Sequence, residues 1–104
     1  MKTVMVYMTA SSLEQARDIA DKLVSEKLAA CVNIFPGMES VYRWKGSIEK
    51  ANETAFIAKT PKALVERLTQ RVRQLHGYEV PCIVSVPIEG GNQAFLDWIV
   101  SETL

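Results

Sequence analysis

Leu28-Ala29-Ala30-Cys31-Val32-Asn33-Ile34-Phe35 is a continuous apolar run of strand length, interrupted only by Asn33. Pro36-Gly37 follows as a bend or bulge, and Ser40-Val41-Tyr42-Arg43-Trp44 resumes as strand. Lys45-Gly46-Ser47 is a tight turn in which glycine is free to take positive φ. Ile48 to Lys59 then returns as a second arm. Its outer part, Glu49-Lys50-Ala51-Asn52-Glu53, is polar, while its inner part, Ala55-Phe56-Ile57-Ala58, is apolar. The whole reads as one long hairpin whose base enters a core and whose tip leaves it.

Upstream, Thr3 to Met8 is β-rich and apolar on both parities, as in a strand buried on two faces. Ser11 and Glu14 form a capping box that opens a helix, and Leu13, Ala16, Ile19, Ala20, Leu23 and Val24 lay one stripe along it. Downstream, Thr60-Pro61 reads as an N-cap followed by proline at the first helical position. Leu64, Val65, Leu68, Val72 and Leu75 share one face of that helix, and His76-Gly77 ends it, with Gly77 as a left-handed stop. Tyr78-Glu79-Val80-Pro81 is extended, Cys82 to Val86 is a last strand, and Gly90-Gly91-Asn92 caps a short helix carrying Phe95, Leu96, Trp98 and Ile99.

The order β-α-β-β-α-β with a terminal helix predicts an α+β fold, the ferredoxin-like βαββαβ sandwich, with both main helices on one face of the sheet. At 104 residues the chain reads as a single domain, residues 1–104. That fold hosts enzymes, RNA binders and ligand sensors, so function has to come from particular residues.

Twelve Lys+Arg balance twelve Asp+Glu, leaving none of the excess positive charge that displaces phosphate counterions and arguing against a nucleic-acid partner. The arm where an RNA-binding version of this fold carries stacked aromatics reads Asn52-Glu53-Thr54-Ala55-Phe56, which is acidic and nearly aliphatic. No apolar run reaches the length of a membrane span, and Met1 to Met8 has one positive charge and a short apolar run but no small-residue cleavage site after it, so it does not read as a secretory signal. Cys31 and Cys82 lie apart, outside any CxxC motif, as reduced thiols in a cytoplasmic protein do.

His76 is the only imidazole, and no nucleophile stands beside it in sequence, so the chain reads as a binding protein rather than an enzyme. Tyr42, Arg43 and Trp44 sit beside the hairpin tip, where a small domain has no core of its own to cover them. Large aromatics in such a place imply burial against another chain or a ligand.

The same residues carry a family resemblance. Ala29 to Ile34, Pro36-Gly37, Ser40, Tyr42, Trp44 with Gly46, Ile48 and Glu53 resemble the signature of the CutA (CutA1-like) divalent-cation tolerance family. Lys59-Thr60, His76 with Tyr78-Glu79-Val80-Pro81, Pro87-Ile88 and Leu96-Asp97-Trp98-Ile99 continue it over essentially the whole chain. The resemblance implies a homotrimer like the PII signalling proteins, with hairpins pairing between subunits, and a role in tolerance of copper and other divalent metal ions. The family's proposed metal ligands are a Cys ending the first strand and a His pair ending the second helix, positions that here read Met8 and Leu75-His76.

From these readings come the expectations. A weakly bound copper ion or another divalent cation would use His76, with Glu79 or Glu53 as carboxylate helper. An intersubunit cleft would be lined by Tyr42, Trp44, Glu53, Lys59, His76 and Tyr78. The alternative is a PII-like signalling module that senses a small anionic ligand in that cleft, with Lys59 as its charge partner.

Overall fold

A computed structural model describes all residues from Met1 to Leu104. Four strands, β1 (Thr3–Ala10), β2 (Cys31–Trp44), β3 (Ser47–Pro61) and β4 (Ile83–Pro87), form one sheet in the order β2-β3-β1-β4. Every neighbouring pair is antiparallel. Three α-helices, α1 (Leu13–Ser25), α2 (Val65–Leu75) and α3 (Gln93–Ser101), complete the chain. This is the expected ferredoxin-like arrangement.

Alternation along the strands builds the core. Val4, Val6, Met8 and Ala10 of β1 and Phe56 and Ala58 of β3 point to one face, where Ala16, Ile19 and Leu23 of α1 and Leu68 and Val72 of α2 cover them. Both main helices therefore share one face of the sheet. The opposite face carries Met5 and Tyr7 of β1, opposite Lys59 and Ile57 of β3 and Val86 and Val84 of β4. There Val84 and Val86 remain about half exposed, and α3 is the helix that approaches: the Lys59 ammonium lies 5.5 Å from the Phe95 ring centroid.

Several boundaries differ from the sequence reading, each for a local reason. Ser12, not Ser11, is the N-cap of α1; its Oγ accepts from the Gln15 backbone N–H at 3.1 Å, while Ser11 donates to the Gln15 side chain. The apolar run begins as a turn, because Lys27 at φ 59° closes α1 with the Leu28 N–H bonded to Leu23 O, and β2 starts only at Cys31. Thr60 caps no helix. It is a fully buried strand residue whose Oγ1 donates to Leu28 O at 2.7 Å, and a short 3₁₀ turn at Lys62–Leu64 precedes α2. Gly77 is not a left-handed stop, since α2 ends where His76 turns extended (φ −80°, ψ 145°). Residues 78–80 run as a bend rather than extended chain, and β4 begins at Ile83 and takes in Pro87.

The hairpin behaves as its sequence suggests. Lys45 (φ 49°) and Gly46 (φ 84°) form a two-residue turn with both central residues at positive φ, so Trp44 pairs directly with Ser47. Residues 41–50 are all exposed, and the hairpin stretches the molecule to 44 Å along its longest axis against 25 and 23 Å across.

Candidate functional site

The bulge decides which side chains meet. Phe35 pairs with Ala55 but Met38 pairs with Glu53, so β2 spends one more residue than β3 between those rungs. Gly37 at φ 79° absorbs the extra residue. Because strand side chains alternate, one added residue moves the rest of β2 to the other face. Before the bulge, Cys31, Asn33 and Phe35 pair with the odd residues of β3; after it, Met38, Ser40, Tyr42 and Trp44 do. The bulge thus puts Tyr42 and Trp44 on the face of Glu53 and Tyr7, away from α1 and α2.

A groove of about 770 Å³ opens on that face, with Tyr7, Met38, Tyr42, Trp44, Glu53 and Tyr78 among its walls and Glu79 and Cys82 beside them. Tyr7 OH donates to Met38 Sδ at 3.4 Å, and Tyr78 OH donates to Glu53 Oε2 at 2.6 Å. Burial of the Tyr78 hydroxyl and then its bond to the Glu53 carboxylate hold its pKa well above the ordinary value, so it stays a neutral donor. Burial, reinforced by the Glu53 charge, likewise pushes the Cys82 thiol up and keeps it protonated.

His76 stands behind this wall, its ring centroid 4.6 Å from that of Tyr78. Its Nδ1 accepts the Tyr78 backbone N–H at 3.0 Å, and its Nε2 lies 2.6 Å from Thr9 O. A carbonyl only accepts, so Nε2 carries the proton and donates, and both ring nitrogens are engaged in the neutral form. The ring therefore fastens the segment after α2 to the end of β1. A Cβ at Gly77 would lie 3.1 Å from Gln15 Nε2, the free end of a flexible side chain, which would have to move by a few tenths of an ångström.

The expected site residues divide. Tyr42, Trp44, Glu53, Tyr78 and Glu79 come together around the groove, and His76 supports it from behind without lining it. Lys59 stands elsewhere on the face, where its Nζ donates to Asn33 Oδ1 at 2.8 Å. Glu79 pairs with Lys45 at 3.6 Å. No group of three or more His, Cys, Asp or Glu side chains is placed to hold a metal ion. Met8 is fully buried in the core, and Leu75 packs at its edge. Within one chain, then, the residues do not form a closed metal site. Tyr7, Thr9, Met38 and Cys82 were not foreseen in the groove. The parity of β1, whose odd residues turn away from the core, would have signalled Tyr7 and Thr9. Met38 needed the bulge register to be known.

The family model described as CutA1 divalent ion tolerance protein matches residues 4–102. The chain is 43% identical over 101 residues to the chloroplastic protein CutA of Arabidopsis thaliana, covering 97% of itself and 56% of that relative. It thus spans just over half the length of this plant protein. The solved divalent cation tolerance protein of Thermus thermophilus superposes with a TM-score of 0.96 at 45% identity, covering 98% of this chain and 99% of that one. The structure titled periplasmic divalent cation tolerance protein CutA, from Archaeoglobus fulgidus, gives 0.95 at 45% identity with the same coverage of both chains. No helix is long and apolar enough to cross a membrane.

Proposed function

The chain belongs to the CutA1 divalent ion tolerance protein family, and from that premise we propose that it is a non-enzymatic homotrimer of divalent-cation tolerance that contacts copper or another divalent cation only weakly. The observation that carries this reading is the state of its one imidazole. A cation reaching His76 must displace the Tyr78 N–H from Nδ1 or take Nε2 from Thr9 O. Glu79, the proposed helper, must leave Lys45. Two such ligands fall short of the three or four that make a tight site. The same double engagement leaves the imidazole no free nitrogen to serve as a general base. The trimer is favoured by what a single chain leaves in water: Phe35, Val84 and Val86 on the sheet face, and Val41, Tyr42, Trp44 and Ile48 on the hairpin. Two free cysteines favour the cytoplasm as the compartment.

Calorimetry with Cu(II) and Zn(II) tests the metal contact. Dissociation constants weaker than micromolar, weakened further in His76→Gln, are expected. Submicromolar binding, or affinity unchanged in His76→Gln, overturns the assignment. A second reading, a PII-like signalling module for a small anionic ligand, draws on Lys59, whose ammonium meets only the neutral Asn33 amide and the Phe95 ring. A thermal-shift screen of metals against small anions separates the two readings, since a ligand at a hundred times its dissociation constant stabilises by ~2.7 kcal/mol.

A further inference from the structure

The two nitrogens of His76 are not equivalent toward a cation. Nε2–H donates to Thr9 O at 2.6 Å, and a histidine that ligates a metal holds its other ring N–H on a carbonyl or carboxylate in this way. Nδ1 is therefore the nitrogen that turns to a cation, and its lone pair is taken by the Tyr78 N–H at 3.0 Å. A Zn–N bond is about 2.1 Å long, so a cation on that lone pair would stand about 1 Å from the Tyr78 nitrogen unless residue 78 withdrew. Tyr78 is held at two further points along its length. Its ring packs on the imidazole with centroids 4.6 Å apart, and its hydroxyl donates to Glu53 Oε2 at 2.6 Å. An O–H···O bond that short passes out of bonding range when stretched by about 1 Å, which is no more than the amide has to give up. The segment has room to move outward: Gly77, the residue type with the freest backbone, joins His76 to Tyr78, and Glu79 and Val80 beyond it are exposed.

We propose that a divalent cation on His76 Nδ1 and the Tyr78–Glu53 hydrogen bond exclude one another, so that cation binding releases Tyr78 from Glu53 and moves one wall of the groove. This coupling rests on the His76 contact proposed above and gives it a consequence. Chains with Tyr78 latched do not bind, so the apparent affinity is the intrinsic one scaled down by the fraction of chains that are released.

The test is a titration of the full chain with Zn(II), followed by calorimetry and by nitrogen and proton NMR. The imidazole nitrogen shifts are expected to mark Nδ1 as the ligand, with the Tyr78 amide and ring signals moving in step with occupancy. Tyr78→Phe lacks the hydroxyl that closes the latch. It should bind Zn(II) about threefold more tightly or more, the reverse of what the loss of a ligand does. Adding His76→Gln to Tyr78→Phe should remove that gain, with far-UV circular dichroism confirming that each variant is folded. Zn(II) held through His76 Nε2, Tyr78 signals unmoved at saturation, or no tightening in Tyr78→Phe would overturn the coupling and leave the weak contact standing. Absence of Zn(II) binding, or binding that His76→Gln does not weaken, would overturn both.

Discussion

The two halves of one hairpin live in different surroundings. At the base, Phe56 and Ala58 are fully buried among residues of β1, α1 and α2. At the tip, every residue from 41 to 50 is exposed, although beyond the bulge the ladder of pairs runs unbroken from Met38 and Glu53 to Trp44 and Ser47. Backbone pairing is equal in the two halves, and burial is not. An isolated two-stranded ribbon is marginal in water, so the tip has little to hold it within one chain and would take its support from a neighbouring copy in the proposed trimer, whereas the base holds without it.

Phe56→Ala probes the base and carries the largest expected effect. The ring is fully buried among well-packed neighbours, and its loss should cost about 3–5 kcal/mol, read as a lower denaturant midpoint. A loss below about 1 kcal/mol would mean that the base does not hold the fold and would dissolve the contrast. The double substitution Tyr42→Ala, Trp44→Ala probes the tip and should do the reverse. Each buried interface aromatic is expected to cost more than about 2 kcal/mol of assembly, with secondary structure unchanged by circular dichroism. Sedimentation of the variant as the same species as the parent would break the proposed trimer's dependence on the tip.

The contrast was half legible in the sequence. Alternating apolar residues mark the base because burial selects them, and Pro36-Gly37 announces the bulge because glycine is needed at positive φ. Thr60-Pro61 misleads for a physical reason. A hydroxyl that can cap a helix can equally bond a carbonyl across a loop, and proline suits the end of a strand as well as the start of a helix. The partner, Leu28 O, lies far off in sequence. The same limit hid the site. Nothing in the spacing of His76, Tyr78, Thr9 and Glu53 predicts that one ring would bond both Thr9 and Tyr78, because those contacts depend on how α2 seats the segment after it. Thr60→Val sharpens this point at the base. It leaves the Leu28 carbonyl buried without its donor and should cost about 1–2 kcal/mol, where loss of an exposed helix cap alone would spare the loop at Leu28. Hydrogen exchange at the Leu28–Ala30 amides distinguishes the two.

Glu53 and Lys59 give the smallest expected effect and the most informative one. They share a parity on β3, but six strand positions separate them, about 20 Å of extended chain. Each is held by a different neighbour, Glu53 by the Tyr78 hydroxyl and Lys59 by the Asn33 amide. That separation is roughly twice the distance over which salt screens exposed charges. A double-mutant cycle of Glu53→Gln and Lys59→Met should therefore show a coupling below ~0.5 kcal/mol in the stability of one chain. A coupling above ~1 kcal/mol, present in the assembled protein and lost on dilution to single chains, could not arise within this geometry. It would place Lys59 of one copy against Glu53 of another, and the groove at the hairpin base would then be one wall of a cleft shared between subunits.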